Sequence, residues 1–78
     1  QLNIETYPNP AIQTLTLRVP KGISSLITST KMFSSTGKVL VSENAYKETI
    51  DCSTYPAGTY FLQINMDTER ITKKIIIQ

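Results

Sequence analysis

The sequence predicts an all-β fold, and three observations carry that prediction. Apolar and polar residues alternate in several segments, most cleanly over residues 59–66. Strict alternation marks a strand with one face in a core and one toward water. Proline and glycine punctuation separates these segments at intervals near the roughly 8–12 residues expected between the strands of a sandwich. No stretch of ten residues carries helical periodicity. Short reversals make most neighbouring strands antiparallel, so seven strands in a two-sheet β-sandwich is the economical arrangement.

The first expected strand is short, with Leu2 and Ile4 alternating with Asn3 and Glu5. Tyr7-Pro8-Asn9-Pro10 then stops it. Pro8, Asn9 and Pro10 form a structural turn, because each residue before a proline is pushed to extended geometry. Leu15, Leu17 and Val19 alternate with Thr14, Thr16 and Arg18 in the second strand, which Pro20-Lys21-Gly22 ends. Residues 26–33 form the third, with Leu26, Thr28, Thr30 and Met32 expected inward. Ser34-Ser35-Thr36-Gly37-Lys38 is a turn in which Gly37 takes the positive φ. Val39, Leu40 and Val41 make the fourth strand, Glu43-Asn44-Ala45 breaks it, and residues 46–50 make the fifth.

The chain is organised around residues 50–66. A strand end at Ile50-Asp51-Cys52-Ser53 meets the punctuation Tyr55-Pro56-Ala57-Gly58. Pro56 fixes φ and Gly58 permits φ > 0, so a sharp reversal between them is expected. The sixth strand follows, with Tyr60, Leu62, Ile64 and Met66 on one face and Phe61, Gln63 and Asn65 on the other. Asp67-Thr68 is a hairpin-like reversal into the seventh strand, residues 70–77.

The 78 residues suffice for one small domain. A domain of this size buries roughly 60% of its unfolded surface, so its core is thin. The content of 40% hydrophobic and 18% charged residues is that of a globular chain. A net charge of +2 without a clustered basic stripe argues against nucleic acid as a partner. No apolar run approaches the about 18 residues of a membrane helix, so no direct membrane insertion is expected. The chain opens on Gln1 rather than Met, as expected of a piece of a longer protein, and the missing signal peptide says nothing of the precursor.

Composition also weighs against catalysis. The single cysteine cannot form a disulfide within the chain, and without histidine neither a Cys/His zinc site nor the usual general base can be built. Glu48 and Asp51 lie three apart on one expected strand and point to opposite faces, so they cannot share a substrate. Serines and threonines lack a histidine to activate them and suit exposed strand faces. Cys52 occupies a position that calls for a small apolar side chain, and a free cysteine behaves as one. Gly37-Lys38 lacks the rest of a phosphate-binding loop, and no carboxylates stand at calcium-loop spacing. No cofactor is expected. The terminal run Lys73-Lys74-Ile75-Ile76-Ile77 places apolar groups on both faces of a strand. Ile76, opposite Ile75 and Ile77, needs cover within the domain or is exposed, and an extended apolar terminal strand is a candidate for edge pairing with another protein or a second copy.

Several pieces in fixed order resemble the C-terminal sorting domain of the type IX (Por) secretion system. They are Tyr7-Pro8-Asn9-Pro10 before Leu15 and Leu17, Phe33 before Gly37-Lys38-Val39, and Ile50-Asp51 with Ser53. Tyr55-Pro56-Ala57-Gly58 with Tyr60-Phe61, and Lys73-Lys74-Ile75-Ile76, complete the set. Together they cover essentially the whole chain. The sequence departs where the family commonly has an aspartate near Ser34 and leucines at the positions of Cys52 and Tyr55. The resemblance implies a seven-stranded immunoglobulin-like antiparallel β-sandwich and a non-catalytic address at the C-terminus of a larger exported protein. It implies a Bacteroidetes-type Gram-negative source, transit through the periplasm, and passage across the outer membrane to the surface or medium. The implied partners are the type IX translocon and its shuttle components, a sortase-like surface peptidase that removes the domain, and a cargo domain N-terminal to Gln1. Carried over residue by residue, recognition falls on Gly58, Tyr60, Lys73, Lys74, Ile75, Ile76, Ile77 and Gln78. The rival from another class is an immunoglobulin-like binding or spacer module of a bacterial surface protein. A carbohydrate-binding module of that kind needs an aromatic platform, for which Phe61, Tyr7 and Tyr46 are the candidates.

Overall fold

Among the residues described by the computed structural model, 4–8 and 13–78, seven strands follow one another along the chain. They are β1 (Glu5–Tyr7), β2 (Thr14–Arg18), β3 (Ile27–Ser34), β4 (Val39–Glu43), β5 (Thr49–Asp51), β6 (Gly58–Met66) and β7 (Arg70–Ile77). A single 3-10 turn, Ser24–Leu26, precedes β3. The strands form two antiparallel sheets, one ordered β1-β2-β5 and the other β4-β3-β6-β7. The expected all-β class and antiparallel pairing are both present.

Both sheets contribute to one buried cluster. Ile4, Leu15, Leu17, Ile50 and Cys52 enter it from the three-stranded side. Ile27, Met32, Tyr60, Leu62, Ile64, Ile75 and Ile77 enter it from the four-stranded side. The alternation along β6 explains why that strand is central: Tyr60, Leu62 and Ile64 are buried, while Thr59, Phe61, Gln63 and Asn65 take the opposite face. β6 lies between β3 and β7, pairing Leu62 with Met32 on one side and with Lys73 on the other. Among the described residues Thr30 is the one fully buried polar residue, and its hydroxyl donates to the Ala45 carbonyl at 2.8 Å. That bond offsets the desolvation of the hydroxyl.

Four expectations are corrected. The register of β3 differs from the expected inward set of Leu26, Thr28, Thr30 and Met32. Thr30 and Met32 do face inward, but Ile27 is buried in place of Leu26 and Thr28, which are exposed. A register irregularity between Ile27 and Ser29 opposite β6 shifts the alternation by one, and the preceding 3-10 turn holds Leu26 outside the ladder. The fifth strand is β5 alone, without residues 46–48. Tyr46 is tied to β2 by its side chain instead, its hydroxyl donating to the Leu17 carbonyl at 2.9 Å. Among the described residues the first strand runs over Glu5–Tyr7 and leaves Ile4 outside it, because the ladder with β2 continues until Tyr7 faces Thr16. Leu2, Asn3, Asn9 and Pro10 lie outside the described residues; Pro8 is exposed, and the peptide bond between Tyr7 and Pro8 is cis.

The last correction concerns the reversal before β6. It begins earlier than expected, on Ser53 and Thr54, where the Tyr55 amide donates to the Cys52 carbonyl at 3.1 Å, and a bend at Ala57 then follows between Pro56 and Gly58. Gly58 already belongs to β6, opposite Ile77, with a near-extended φ of 157°. At the other expected turn Gly37 does take a positive φ, 93°, which a side-chain-bearing residue adopts only at a cost.

Candidate functional site: the β7 face and its neighbours

β7 presents two unlike faces, and the register decides which residue goes where. Ile75 and Ile77 lie opposite Tyr60 and Gly58 and are buried. Tyr60 is buried as well, and its hydroxyl donates to the Pro56 carbonyl at 2.6 Å. Three of the residues carried over as recognition positions therefore serve the core. Lys74 and Gln78 are exposed, and Lys73 and Ile76 are half-buried. Gly58 is exposed at the start of β6, beside the end of β7. Pro56 and Gly37 sit at exposed bends as structural positions.

Lys73 lies opposite Leu62 and so takes the inward parity of β7. It remains half-buried because it opens into a groove of about 560 Å³ that it lines with Lys74, Glu5, Thr6 and Tyr7. This groove places the lysine pair beside β1. β7 is the last strand of its sheet among the described residues. The sequence marked the lysines by their place in a basic, apolar terminal strand. It gave no sign of the β1 wall, since that contact joins residues near opposite ends of the chain.

The aromatic candidates do not form one platform. Phe61 lies on the outer face of the four-stranded sheet, 36% exposed. Tyr7 and Tyr46 line a groove of about 460 Å³ with Arg18 and Glu48 on the other sheet. The Arg18 guanidinium stands 5.3 Å from the Tyr7 ring centroid, within cation–π range.

The remaining titratable candidates are held in structural roles. Asp51 accepts a hydrogen bond from the Ser53 amide at 2.9 Å, and its bonding to Ser53 lowers its pKa. Cys52 is fully buried, and burial raises its thiol pKa. Burial also raises the pKa of Tyr46, with a smaller push from Glu48. Among the described residues no group of three His, Cys, Asp or Glu side chains is placed to hold a metal ion. Among them, too, no helix is long and apolar enough to cross a membrane.

The comparisons with known proteins add one match. The sequence profile of the family described as the secretion system C-terminal sorting domain matches residues 5–78. No curated protein matches the chain.

Proposed function

The chain belongs to the family of type IX secretion C-terminal sorting domains, and from that premise we propose that it is a folded, non-catalytic address carried by a larger exported protein. The observation that carries this reading is the extent of the match, which runs from β1 through β7 and takes in every strand. Membership implies dealings with the type IX machinery and export to the cell surface or the medium. The finer steps are part of the proposal: recognition in the periplasm by shuttle and translocon, removal by a sortase-like peptidase, and surface attachment of the cargo. So is the immunoglobulin-like form of the sandwich, which the division into three and four antiparallel strands around one core supports.

An address has to be legible on a folded domain. Burial of Tyr60, Ile75 and Ile77 leaves Lys73, Lys74, Ile76 and Gln78 as the part of the terminal strand that a partner reaches directly. We assign recognition to these four, with charge steering through the lysines, and a supporting role in the fold to the other three.

The test is an export assay. Residues 1–78 are fused behind a periplasm-directed fluorescent reporter in a host with type IX machinery, beside the same fusion carrying Lys73→Glu and Lys74→Glu. Reporter at the surface or in the medium for the first, and in the periplasm for the second with the domain still folded, supports both parts. Retention of the unaltered fusion overturns the sorting reading. Equal export of the two overturns the assignment to the lysines.

A further inference from the structure

The outer face of a half-buried sheet is ordinarily polar along its whole length. Two of the rows crossing this one follow that rule. Lys31, Gln63 and Thr72 lie side by side on β3, β6 and β7. Ser29, Asn65 and Arg70 form the next row. That row is closed by hydrogen bonds from Asn65 Nδ2 to the Ser29 hydroxyl at 2.8 Å and from Arg70 Nε to Asn65 Oδ1 at 3.0 Å.

A third row breaks the rule. Val39 on β4 faces Phe33 on β3, Phe33 faces Phe61 on β6, and Phe61 faces Lys74 on β7. Val39 is 52% exposed and Phe61 36% exposed, two of the largest apolar exposures among the described residues. The row exists because of a register irregularity between Met32 and Phe33 opposite β4. It brings Val39, rather than Leu40, opposite Phe33 on the outer face. With strands about 4.8 Å apart, four of them carry the row over roughly 14 Å.

The charged residues of this row and of the two polar rows share one sign, and the carboxylate of Glu5 lies beyond them, in the groove that Lys74 shares with β1. Lys74 closes it on β7, and the exposed Lys38 adjoins Val39 at its other end. Lys31 and Arg70 are the charged residues of the neighbouring rows. An apolar strip bounded by cations is complementary to a surface bearing apolar side chains among carboxylates.

We propose that this row is a docking surface for a partner protein that offers apolar side chains flanked by Asp or Glu. The proposal extends the sorting reading, with which it shares Lys74, and adds Phe33, Phe61 and Val39 as contact residues. It also stands on its own geometry, so its test does not depend on secretion. Residues 1–78 labelled with nitrogen-15 are titrated with an acetylated dodecapeptide repeating Glu-Leu-Leu, and separately with one repeating Lys-Leu-Leu. The acidic peptide is expected to shift the amides of Phe33, Phe61 and Lys74, to bind at least tenfold more tightly than the basic one, and to weaken as salt is raised. Phe61→Ser with Phe33→Ser is expected to weaken binding at least tenfold. Gln63→Ser, in the adjacent polar row, is expected to leave it unchanged. No shifts at millimolar peptide, shifts centred elsewhere, equal binding of both peptides, or a row covered by a second copy of the chain each overturn the proposal.

The same variants in the export assay separate the two readings. A folded Phe33→Ser, Phe61→Ser fusion that exports normally, while the Lys73→Glu, Lys74→Glu fusion is retained, removes the row from recognition and leaves the sorting function standing. Retention of the unaltered fusion removes the sorting function, whereas the peptide titration still decides the surface.

Discussion

Tyr60 donates its hydroxyl to the carbonyl of Pro56 at 2.6 Å, fastening the approach to β6 onto the strand itself. The ring lies in the core, and the Tyr55 ring sits 6.0 Å away at a tilt of 32°. Tyr60→Phe keeps the ring and leaves the carbonyl without that donor. The expected cost is about 1 kcal/mol, within the usual range for such a bond. Tyr60→Ala also empties a core site and is expected to cost about 3–5 kcal/mol. Urea unfolding checks both, with an unchanged slope for Tyr60→Phe. If Tyr60 acts through the fold alone, Tyr60→Phe exports like the unaltered domain.

The terminal strand makes a sharper test of faces. Ile75 is fully buried and Ile77 is 2% exposed, whereas Ile76 between them is half-buried on the other side. Ile75→Ala is expected to cost about 2–5 kcal/mol, a large share of the roughly 5–15 kcal/mol that holds a small domain together. Ile76→Ala is expected to cost less than half as much as Ile75→Ala. Thermal melts of the two variants check the order, and an Ile76 cost equal to that of Ile75 contradicts the two-faced strand.

The contrast among these isoleucines also marks what the sequence makes legible. β6 and β7 are readable because each alternates and each runs without interruption between turn residues. The outward parity of Ile76 was readable for the same reason. β3 was readable as a strand but not in register, because the irregularity near Thr28 and the turn at Ser24–Leu26 arise from contacts with β6 and the preceding loop. Alternation carries no trace of either. Tyr46 looked like a strand residue because aromatic residues suit strands, while its hydroxyl reaches β2 as a side-chain tie. The candidate site was legible only as a list of positions at the start of β6 and along the end of β7. Which of them reach a partner depends on pairing with β6 and on the wall that β1 sets beside the lysines.

The β3 correction has its own measurement. Leu26 is 57% exposed, and Ile27 is 5% exposed. Leu26→Ser is expected to change stability by no more than about 0.5 kcal/mol, as for other surface substitutions. Ile27→Ala is expected to cost about 2–5 kcal/mol. Denaturation midpoints of the two variants decide the register. A large loss for Leu26→Ser with a small one for Ile27→Ala restores the simple alternation.

The buried thiol and the Tyr46 phenol predict how the domain fails in alkali. Both groups are neutral when protonated, and burial raises both pKa values in the folded state. The folded state therefore holds the proton more tightly than the unfolded chain, and stability falls as pH rises past the unfolded value. For Cys52 the loss begins near the ordinary thiol pKa of about 8.5, and for Tyr46 near about 10. It continues until pH passes the raised value of each folded group. Cys52→Val removes the thiol's share, and the first part of the alkaline loss is expected to flatten. Tyr46→Phe removes its share of the later part, to which the Tyr55 phenol, also raised by burial, contributes the rest, and at neutral pH it costs about 1 kcal/mol for the bond to the Leu17 carbonyl. Urea midpoints collected from pH 7 to 11 separate the two. The same burial predicts that Cys52 reacts with an aromatic disulfide only as fast as the domain opens. The reaction rate of the folded domain is therefore expected to rise with Tyr60→Ala, and a rate indifferent to that destabilisation contradicts the buried position of the sulfur.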